Sequence, residues 1–492
     1  MRPSADLLIR NVEVARRRGT FDVVIKDGAV INVVPAGTTV EGSQLFHSID
    51  GQGGVLLPGL HDHHLHLMSM AARATSLDCS RAAVGNLMDL RRTLEDADRR
   101  LIPGAWLRGV GYDDVSLPRI DRSFLDSVVP DRPVRVQHRT GHAWIFNSRA
   151  LDLLRVKPGQ RGVERDAKAM PTGWLFGGDA LLRQVINEPA PPLSTVGGEL
   201  SRYGITAVTD ASADNDDTAV EHFVEAIRTG ELQQRIQVMG RRLTPVSNAK
   251  VRVGPVKIVL AEYDLPGLAA LVASVERAHR RRSNVAIHAV SREALLLALT
   301  ALEESGGGTV DRIEHASLAP GAVLGRLADL GPTVVTQFNF LHDHGDLYAD
   351  QLSPEQTGDL YRGRSWTEAG VTLAGGSDAP FGSSDPWLAM RSAVKRRTSS
   401  GLVLNEWEAL SPERALDLYL SPLESAGTGI REVRKGVPAD LCLLRVPWSI
   451  ARQRLDAELV AATIIGGKVV HLARGFKVED IPRGSGSPAR HR

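Results

Sequence analysis

The feature that most constrains the fold is a long alternation of strand-like and helical patterns between about residues 55 and 430. Short runs rich in β-branched residues predict strands, and apolar residues at helical spacing predict helices over 87–101, 265–280 and 294–304. Such alternation is typical of a parallel sheet, and eight strand–helix units close a barrel. The predicted strands cover residues 55–66, 133–138, 204–210, 256–261, 284–289, 311–315, 333–337 and 371–378. The sequence therefore predicts the α/β class, with a TIM-like (β/α)8 barrel over residues 55–431.

Three further segments lie outside the regular alternation. Both chain ends carry short strand-like runs, and neither end has enough of them to close a sheet, so residues 1–54 and 432–480 are predicted to pair into one small composite β-sandwich. A segment rich in Gly, Pro and charge predicts an insertion at about 151–192, over the barrel mouth. The tail 481–492, rich in Gly, Ser and Pro, is predicted to be disordered.

Charge and cysteine content exclude several classes of partner. The chain has 59 Lys and Arg against 58 Asp and Glu, so it lacks the basic surface that nucleic acid or an acidic membrane would attract. Its two cysteines, Cys79 and Cys442, are far apart, which favours a reducing compartment. No apolar run reaches 18 residues and no signal peptide opens the chain. We therefore expect a cytoplasmic protein with a small-molecule substrate, and a homo-oligomer stays open.

A histidine-rich segment follows the first predicted strand, where residues 61–66 read His-Asp-His-His-Leu-His. Alternate side chains of a strand share a face, which gives two pairs, His61 with His63 and His64 with His66. Two imidazoles at this spacing can bind one Zn²⁺ at about 2.0–2.1 Å, and the carboxylate between them can orient a ligand. The segment predicts a metal site, but strand parity alone does not choose between the pairs.

Other chemically active side chains lie at or near the ends of later strands. Lys257 lies within the fourth strand, His288 and His315 end the fifth and sixth, and Asp378 ends the eighth. Each is weak alone, because a lone strand histidine or lysine is usually structural and Gly-Ser-Asp is usually a turn. A barrel collects catalytic groups from the carboxyl ends of different strands. Together these residues therefore indicate one site at the barrel mouth.

This order of residues, with the segment Pro-Gly-Leu-x-Asp-x-His-x-His at 58–66, resembles the metal-dependent amidohydrolase superfamily. The resemblance implies a barrel with a composite β-domain and selects His64 and His66 over their neighbours. It also implies one or two divalent metals, expected to be Zn²⁺. One metal would be held by His64, His66 and Asp378, a second would be held or approached by His288 and His315, and Lys257, carboxylated on Nζ, would bridge them.

The segment 140–151 is similar to the subgroup that includes N-substituted formamide deformylases. By that resemblance His142 would face the substrate, although a structural loop histidine fits the sequence equally well. Another His-x-His pair, His342 and His344, is predicted to lie in a loop near the mouth.

These features predict a hydrolase of a non-peptide C–N bond in an amide, formamide or cyclic amide. The metal would activate water, and Asp378 would take a proton and pass it to the leaving nitrogen. The metal, with His142 or His315, would polarise the carbonyl. Deamination of an amino-substituted ring remains an alternative. A non-catalytic scaffold is disfavoured, because all six ligand positions are filled.

Overall fold

The computed structural model describes residues 6–39, 47–178, 181–182, 185–186, 190–308 and 310–480. The tail predicted to be disordered, 481–492, lies outside the described residues. The chain divides into two compact units: the first consists of Met1–Leu67 and Leu193–Arg492, and the second of Met68–Pro192.

The strands of the described residues are numbered in chain order. They are β1 Leu7–Val14, β2 Thr20–Lys26, β3 Ala29–Pro35, β4 His47–Asp50, β5 Val55–Pro58, β6 Leu60–Leu65, β7 Leu77–Asp78, β8 Leu107–Tyr112, β9 Val134–His138, β10 Ala143–Phe146, β11 Val163–Arg165, β12 Pro171–Phe176, β13 Ile205–Asp210, β14 Arg235–Gly240, β15 Val251–Val259, β16 Val285–Ala289, β17 Arg312–His315, β18 Thr333–Thr336, β19 Leu373–Gly375, β20 Leu441–Leu444, β21 Val460–Ile465, β22 Lys468–Leu472 and β23 Glu479–Asp480.

The α-helices of the same residues are numbered in the same way. They are α1 Leu67–Ala74, α2 Arg81–Val84, α3 Leu87–Arg100, α4 Arg122–Val128, α5 Ser148–Leu154, α6 Ser194–Arg202, α7 Asp217–Thr229, α8 Leu268–Arg280, α9 Arg292–Glu304, α10 Leu324–Leu330, α11 Asn339–Asp343, α12 Gly345–Gln351, α13 Pro354–Gly358, α14 Arg364–Glu368, α15 Pro386–Lys395, α16 Pro412–Asp417 and α17 Trp448–Arg454. None of the described helices is long and apolar enough to cross a membrane.

Eight of the described strands form one parallel sheet in the first unit, in the order β6, β13, β14, β15, β16, β17, β18, β19. The first and last strands meet beyond their ends, because the Asp378 amide donates to the His64 carbonyl at 2.7 Å and the His66 amide donates to the Ala379 carbonyl at 2.8 Å. Every residue of β6 and β13 is buried, as expected for strands covered on both faces. The sheet is therefore the predicted TIM-like barrel.

One predicted barrel strand was wrong. Residues 133–138 contain β9, which pairs with β8 and β10 in the second unit. The barrel takes β14, Arg235–Gly240, in its place, and this strand was missed because polar residues interrupt its apolar run. The unit inserted between β6 and β13 begins at Met68, whereas the sequence placed an insertion only at about 151–192.

Strands from both chain ends lie in one nine-stranded sheet of the described residues. The link is β5, which runs parallel to β1 and antiparallel to β20, with Leu56 opposite Leu443. Gly59 separates β5 from the barrel strand β6. A side chain does not fit at this position, because a Cβ would lie 2.1 Å from the Thr206 side chain. The predicted strand 55–66 therefore serves two sheets. That the end strands form a separate β-sandwich domain stays a prediction.

Deleting residues 1–50 is expected to give insoluble protein. The deletion removes β1, which pairs with β2, β4 and β5 and buries Ile9, Val12 and Val14 in the core of this sheet. The exposed edge of β5 and the uncovered apolar face would favour aggregation. Soluble yield is the measurement, and removal of 481–492 is the control that should leave it unchanged. A soluble, active 1–50 deletion would contradict a composite domain.

The second unit contains a six-stranded sheet among its described residues, in the order β11, β12, β10, β9, β8, β7. Helices α3 and α4 bury Leu90, Leu94 and Leu125 in a cluster with Val136 of β9 and Trp174 of β12. Helix α3 begins at Asn86, whose side chain accepts from the amides of the first turn and so satisfies donors that have no partner within the helix. This unit therefore has its own hydrophobic core.

Candidate metal centre

His64 and His66 point their Nε2 atoms at the same carboxylate oxygen. Oδ1 of Asp378 lies 3.4 Å from Nε2 of His64 and 3.1 Å from Nε2 of His66. The other ring nitrogens are occupied, since Nδ1 of His64 lies 2.5 Å from Oε2 of Glu314 and Nδ1 of His66 lies 2.9 Å from Oγ of Ser212. Metal-binding histidines have this arrangement, in which an outer partner fixes the ring and the inner nitrogen faces the ion.

His315 extends the cluster from the end of β17. Its ring centroid is 4.8 Å from that of His64 and 4.4 Å from that of His288. Nδ1 of His315 lies 2.7 Å from Oε1 of Gln337, whereas its Nε2 is buried without a hydrogen-bond partner in the described chain. His64, His315 and Asp378 each offer one ligand atom, all within 4.8 Å of one another. Three donors this close can hold one metal ion.

Two residues of this cluster have strained backbones. His315 has φ of 71° and Asp378 has φ of 54°, in the left-handed region that residues with a side chain adopt at a cost. Such strain collects at functional sites, where the surrounding structure enforces it. Asp378 is held by the hydrogen bond from its amide to the His64 carbonyl. The backbone thus directs the carboxylate toward the histidines.

Lys257 is buried in β15, with 3% of its surface exposed, and its Nζ has no hydrogen-bond partner in the described residues. Burial lowers the pKa of its ammonium group, although the charges of Glu314 and Asp378 oppose the shift. An unpartnered buried ammonium is costly. Lys257 therefore fits a site in which a bound ligand would provide the partner that its Nζ lacks in the described residues.

Asp62 accepts hydrogen bonds from two backbone amides near the histidine pair. Its Oδ1 accepts from the amide of His64 at 3.0 Å and from the amide of Ser377 at 3.1 Å. It thereby joins the end of β6 to the segment after β19, which carries Asp378. Burial raises the pKa of the Asp62 carboxyl to about 6, against the effect of these hydrogen bonds.

His61 and His63 lie outside this cluster. Nε2 of His63 is 3.0 Å from Oγ of Ser421, and the ring centroids of His61 and His63 are 6.0 Å apart. Burial, with the nearby Arg312 and Arg431 charges, lowers the pKa of His63 to about 3. The structure thus separates the two pairs that strand parity left equivalent.

Replacing His63 by Gln is expected to reduce the acid sensitivity of the metal-free protein. The pKa of His63 is about 3 in the folded protein, below the usual unfolded value of about 6.5. As the pH falls below about 6.5, the unfolded chain therefore takes up a proton that the folded protein does not bind. The wild type should lose about 1.4 kcal/mol of unfolding free energy per pH unit from this group, between about pH 6 and 3. Urea unfolding at pH 7.5 and 5.5 measures the difference, and equal losses in the two proteins would contradict this account.

The remaining predicted site residues are placed differently. His142 lies just before β10 in the second unit, so its catalytic role stays a prediction. His342 belongs to the short helix α11, so the prediction of a loop was wrong for this residue, whereas His344 lies between α11 and α12. Nε2 of His344 lies 3.2 Å from the carbonyl of Phe381, whose ring is 5.5 Å from that of His66. His344 therefore contacts Phe381, which lies next to the histidine cluster.

Glu314 is the site residue that sequence reasoning missed. It is fully buried next to His315, and Arg312 and His64 contact its carboxylate. Burial alone would raise the pKa of Glu314, but Arg312, His64 and Lys257 hold it well below its usual range. The signal that could have identified Glu314 is the presence of two charged residues, at 312 and 314, in a buried strand of only four residues.

A parallel barrel with histidines, a lysine and an aspartate at or near its strand ends is typical of metal-dependent hydrolases. The amidohydrolase family matches residues 48–471, and the chain belongs to this family. It is 27% identical to the N-substituted formamide deformylase of Arthrobacter pascens, over 94% of this chain and 97% of that protein. The chain is thus a hydrolase that acts on carbon–nitrogen bonds other than peptide bonds.

The fold is similar to those of two solved structures, both uncharacterized metal-dependent hydrolases. The protein from Pyrococcus horikoshii OT3 has a TM-score of 0.71 at 22% identity, covering 89% of this chain and 97% of its own. The protein from Pyrococcus furiosus has a TM-score of 0.69 at 22% identity, covering 89% and 99%. At this identity the likeness shows the fold alone.

Proposed function

We propose that the protein hydrolyses a non-peptide amide, preferably an N-substituted formamide, with a divalent metal and with Asp378 as the proton carrier. The observation that carries the proposal is the approach of one Asp378 oxygen to the Nε2 atoms of both His64 and His66. The formamide preference is supported by the deformylase that the chain resembles along 94% of its length.

The residues fit a bound divalent metal, for which we propose Zn²⁺. Buried nitrogen donors point into the cluster, and Nε2 of His315 and Nζ of Lys257 have no hydrogen-bond partner in the described structure. Such a metal lowers the pKa of its bound water from 15.7 toward about 7. One ion would be held by His64, His66 and Asp378, and a second by His288 and His315, with Lys257 carboxylated on Nζ between them.

Asp378 is available as a base at neutral pH. Burial alone would raise the pKa of its carboxyl, but hydrogen bonds with His64 and His66 and the nearby His315 hold it well below its usual range. The ionised oxygen can accept a proton from the attacking water and return it to the leaving nitrogen. A positioned group of this kind contributes about 10²–10⁴-fold to the rate.

His315 is better suited to ligation than to proton donation. Burial lowers its pKa to about 3, so the ring is neutral at pH 7. If its Nδ1 donates to Gln337, at 2.7 Å, the lone pair lies on Nε2, which faces the cluster. Polarisation of the carbonyl would then fall to the metal and to His142, the second residue predicted for that role.

The setting proposed for this reaction is the cytoplasm. Cys79 and Cys442 are both buried free thiols, as a reducing compartment favours. The proposed partner is a small molecule.

Metal analysis and a substrate screen test the proposal. The purified full chain should contain one or two equivalents of zinc, and the metal-loaded enzyme should release formate from N-substituted formamides. Cyclic amides and amino-substituted rings complete the screen, since ring opening or ammonia release identifies the competing activities. Protein that binds no metal when supplied with Zn²⁺, and hydrolyses none of these compounds, would contradict the proposed function.

A further inference from the structure

Glu314 connects two barrel strands that are distant in the sheet order. It lies in β17, is fully buried, and its Oε2 is 2.5 Å from Nδ1 of His64 at the end of β6. An ionised carboxylate only accepts hydrogen bonds, so the proton of this contact belongs to the imidazole. When Nδ1 carries the only ring proton, as in a histidine that binds a metal through Nε2, the lone pair of His64 lies on Nε2, which is 3.4 Å from Asp378.

Arg312 fixes the orientation of the carboxylate. Its Nε donates to Oε1 of Glu314 at 2.8 Å and one terminal nitrogen donates to Oε2 at 3.1 Å. The same terminal nitrogen donates to the backbone carbonyl of His63 at 2.7 Å. A two-point contact of this kind sets the plane of the carboxylate, and the third bond secures the guanidinium against β6.

The other histidine of the pair has a weaker outer contact. Nδ1 of His66 meets the neutral hydroxyl of Ser212 at 2.9 Å, and 17% of the His66 side chain is exposed, against 1% for His64. A charged acceptor increases the electron density of an imidazole more than a hydroxyl does. The two rings are therefore unequal as ligands.

We propose that Glu314 is the positioning residue of His64: it holds the proton on Nδ1, directs Nε2 into the cluster and makes His64 the stronger metal ligand of the pair. Arg312 acts through it by fixing the carboxylate. This inference rests on the proposed function, because it assumes that the cluster binds a metal.

The test is the Zn²⁺ dissociation constant of the metal-free full chain, measured by competition with a chromophoric chelator. Glu314→Gln should weaken Zn²⁺ binding by about 10–100-fold, the usual cost of losing an outer-shell partner of a metal ligand. Glu408→Gln is the matched control. Glu408 is also fully buried and its carboxylate is bound to an arginine, Arg362, at 2.9 Å, with Ser365 as its other hydrogen-bond partner in place of a histidine. This variant should bind Zn²⁺ like the wild type.

Thermal unfolding of each metal-free protein separates positioning from stability. A purely structural role for Glu314 would lower the melting temperature of both Gln variants and leave both Zn²⁺ affinities unchanged. Glu314→Gln leaves Arg312 buried without its counter-charge and can therefore fail to fold. The double variant Arg312→Gln/Glu314→Gln removes both charges and is used to measure Zn²⁺ affinity if the single variant does not fold. It should show the same loss of affinity.

The outcomes distinguish the two proposals. A wild type that binds no Zn²⁺ and hydrolyses none of the screened compounds overturns the proposed function. If the single or the double Glu314 variant binds Zn²⁺ as tightly as the wild type does, only the proposed role of Glu314 is overturned.

Discussion

Asp378→Asn is expected to keep most of the bound metal while turnover falls by about 10²–10⁴-fold, the range for loss of a positioned base. The amide has nearly the shape of the carboxylate, and its oxygen can retain a weak contact to a metal. It cannot accept a proton at neutral pH. The imidazoles of His64, His66, His288 and His315 would remain as the main metal donors.

Metal content and kcat should be measured on the same preparation, with any formamide or amide that the screen identifies. Asp359→Asn is a matched control, because Asp359 is also buried and its carboxylate contacts Arg292 at 2.6 Å and Arg362 at 2.7 Å. That variant should lose stability but keep its turnover. Near-normal kcat in Asp378→Asn with intact metal would assign proton transfer to another group, and His142 would then be the first to test.

His64→Ala is expected to abolish stoichiometric metal binding and, with it, activity. The substitution removes a buried imidazole whose Nε2 lies in the group of three ligand atoms, and it leaves the Glu314 carboxylate without its histidine partner. A buried carboxylate that loses a charge-assisted hydrogen bond is destabilising in addition. His66→Ala should act in the same direction.

His63→Ala is the control for this prediction, because the residue is adjacent in sequence and equally buried but bonds to Ser421. It should keep its metal. Metal content of the purified variants is the measurement. Loss of metal in His63→Ala with retention in His64→Ala would reverse the assignment of the pair.

Sequence patterns predicted the barrel because its strands are short, apolar and followed by helices. Seven of the eight predicted strand regions overlap barrel strands of the described chain. The exception, residues 133–138, is a genuine strand in the wrong sheet. Local β-propensity reports that a segment is extended and half buried, but it carries no information about the neighbour with which the strand pairs.

The candidate site was likewise predictable from the sequence only in part. Residue type and strand position placed His64, His66, Lys257, His288, His315 and Asp378 at one end of the barrel. The opposite faces of β6 are equally rich in histidine and strand parity does not distinguish them, whereas the contacts of His63 with Ser421 and of His64 with Glu314 do. The partner of each ring lies more than 240 residues away in the chain, so no local pattern could identify it.

The sequence by itself determined the alternation of strands and helices, the chemistry of the side chains at the strand ends and the order in which they occur. These properties depend on neighbouring residues, whose spacing fixes which side chains share a face. The tertiary structure alone decided which extended segment completes the barrel and that Glu314 contacts His64. It also places His64 and His66 beside Asp378, which the family resemblance implied but strand parity left open. Each of these depends on residues far apart in the chain, brought together by burial of the whole sheet.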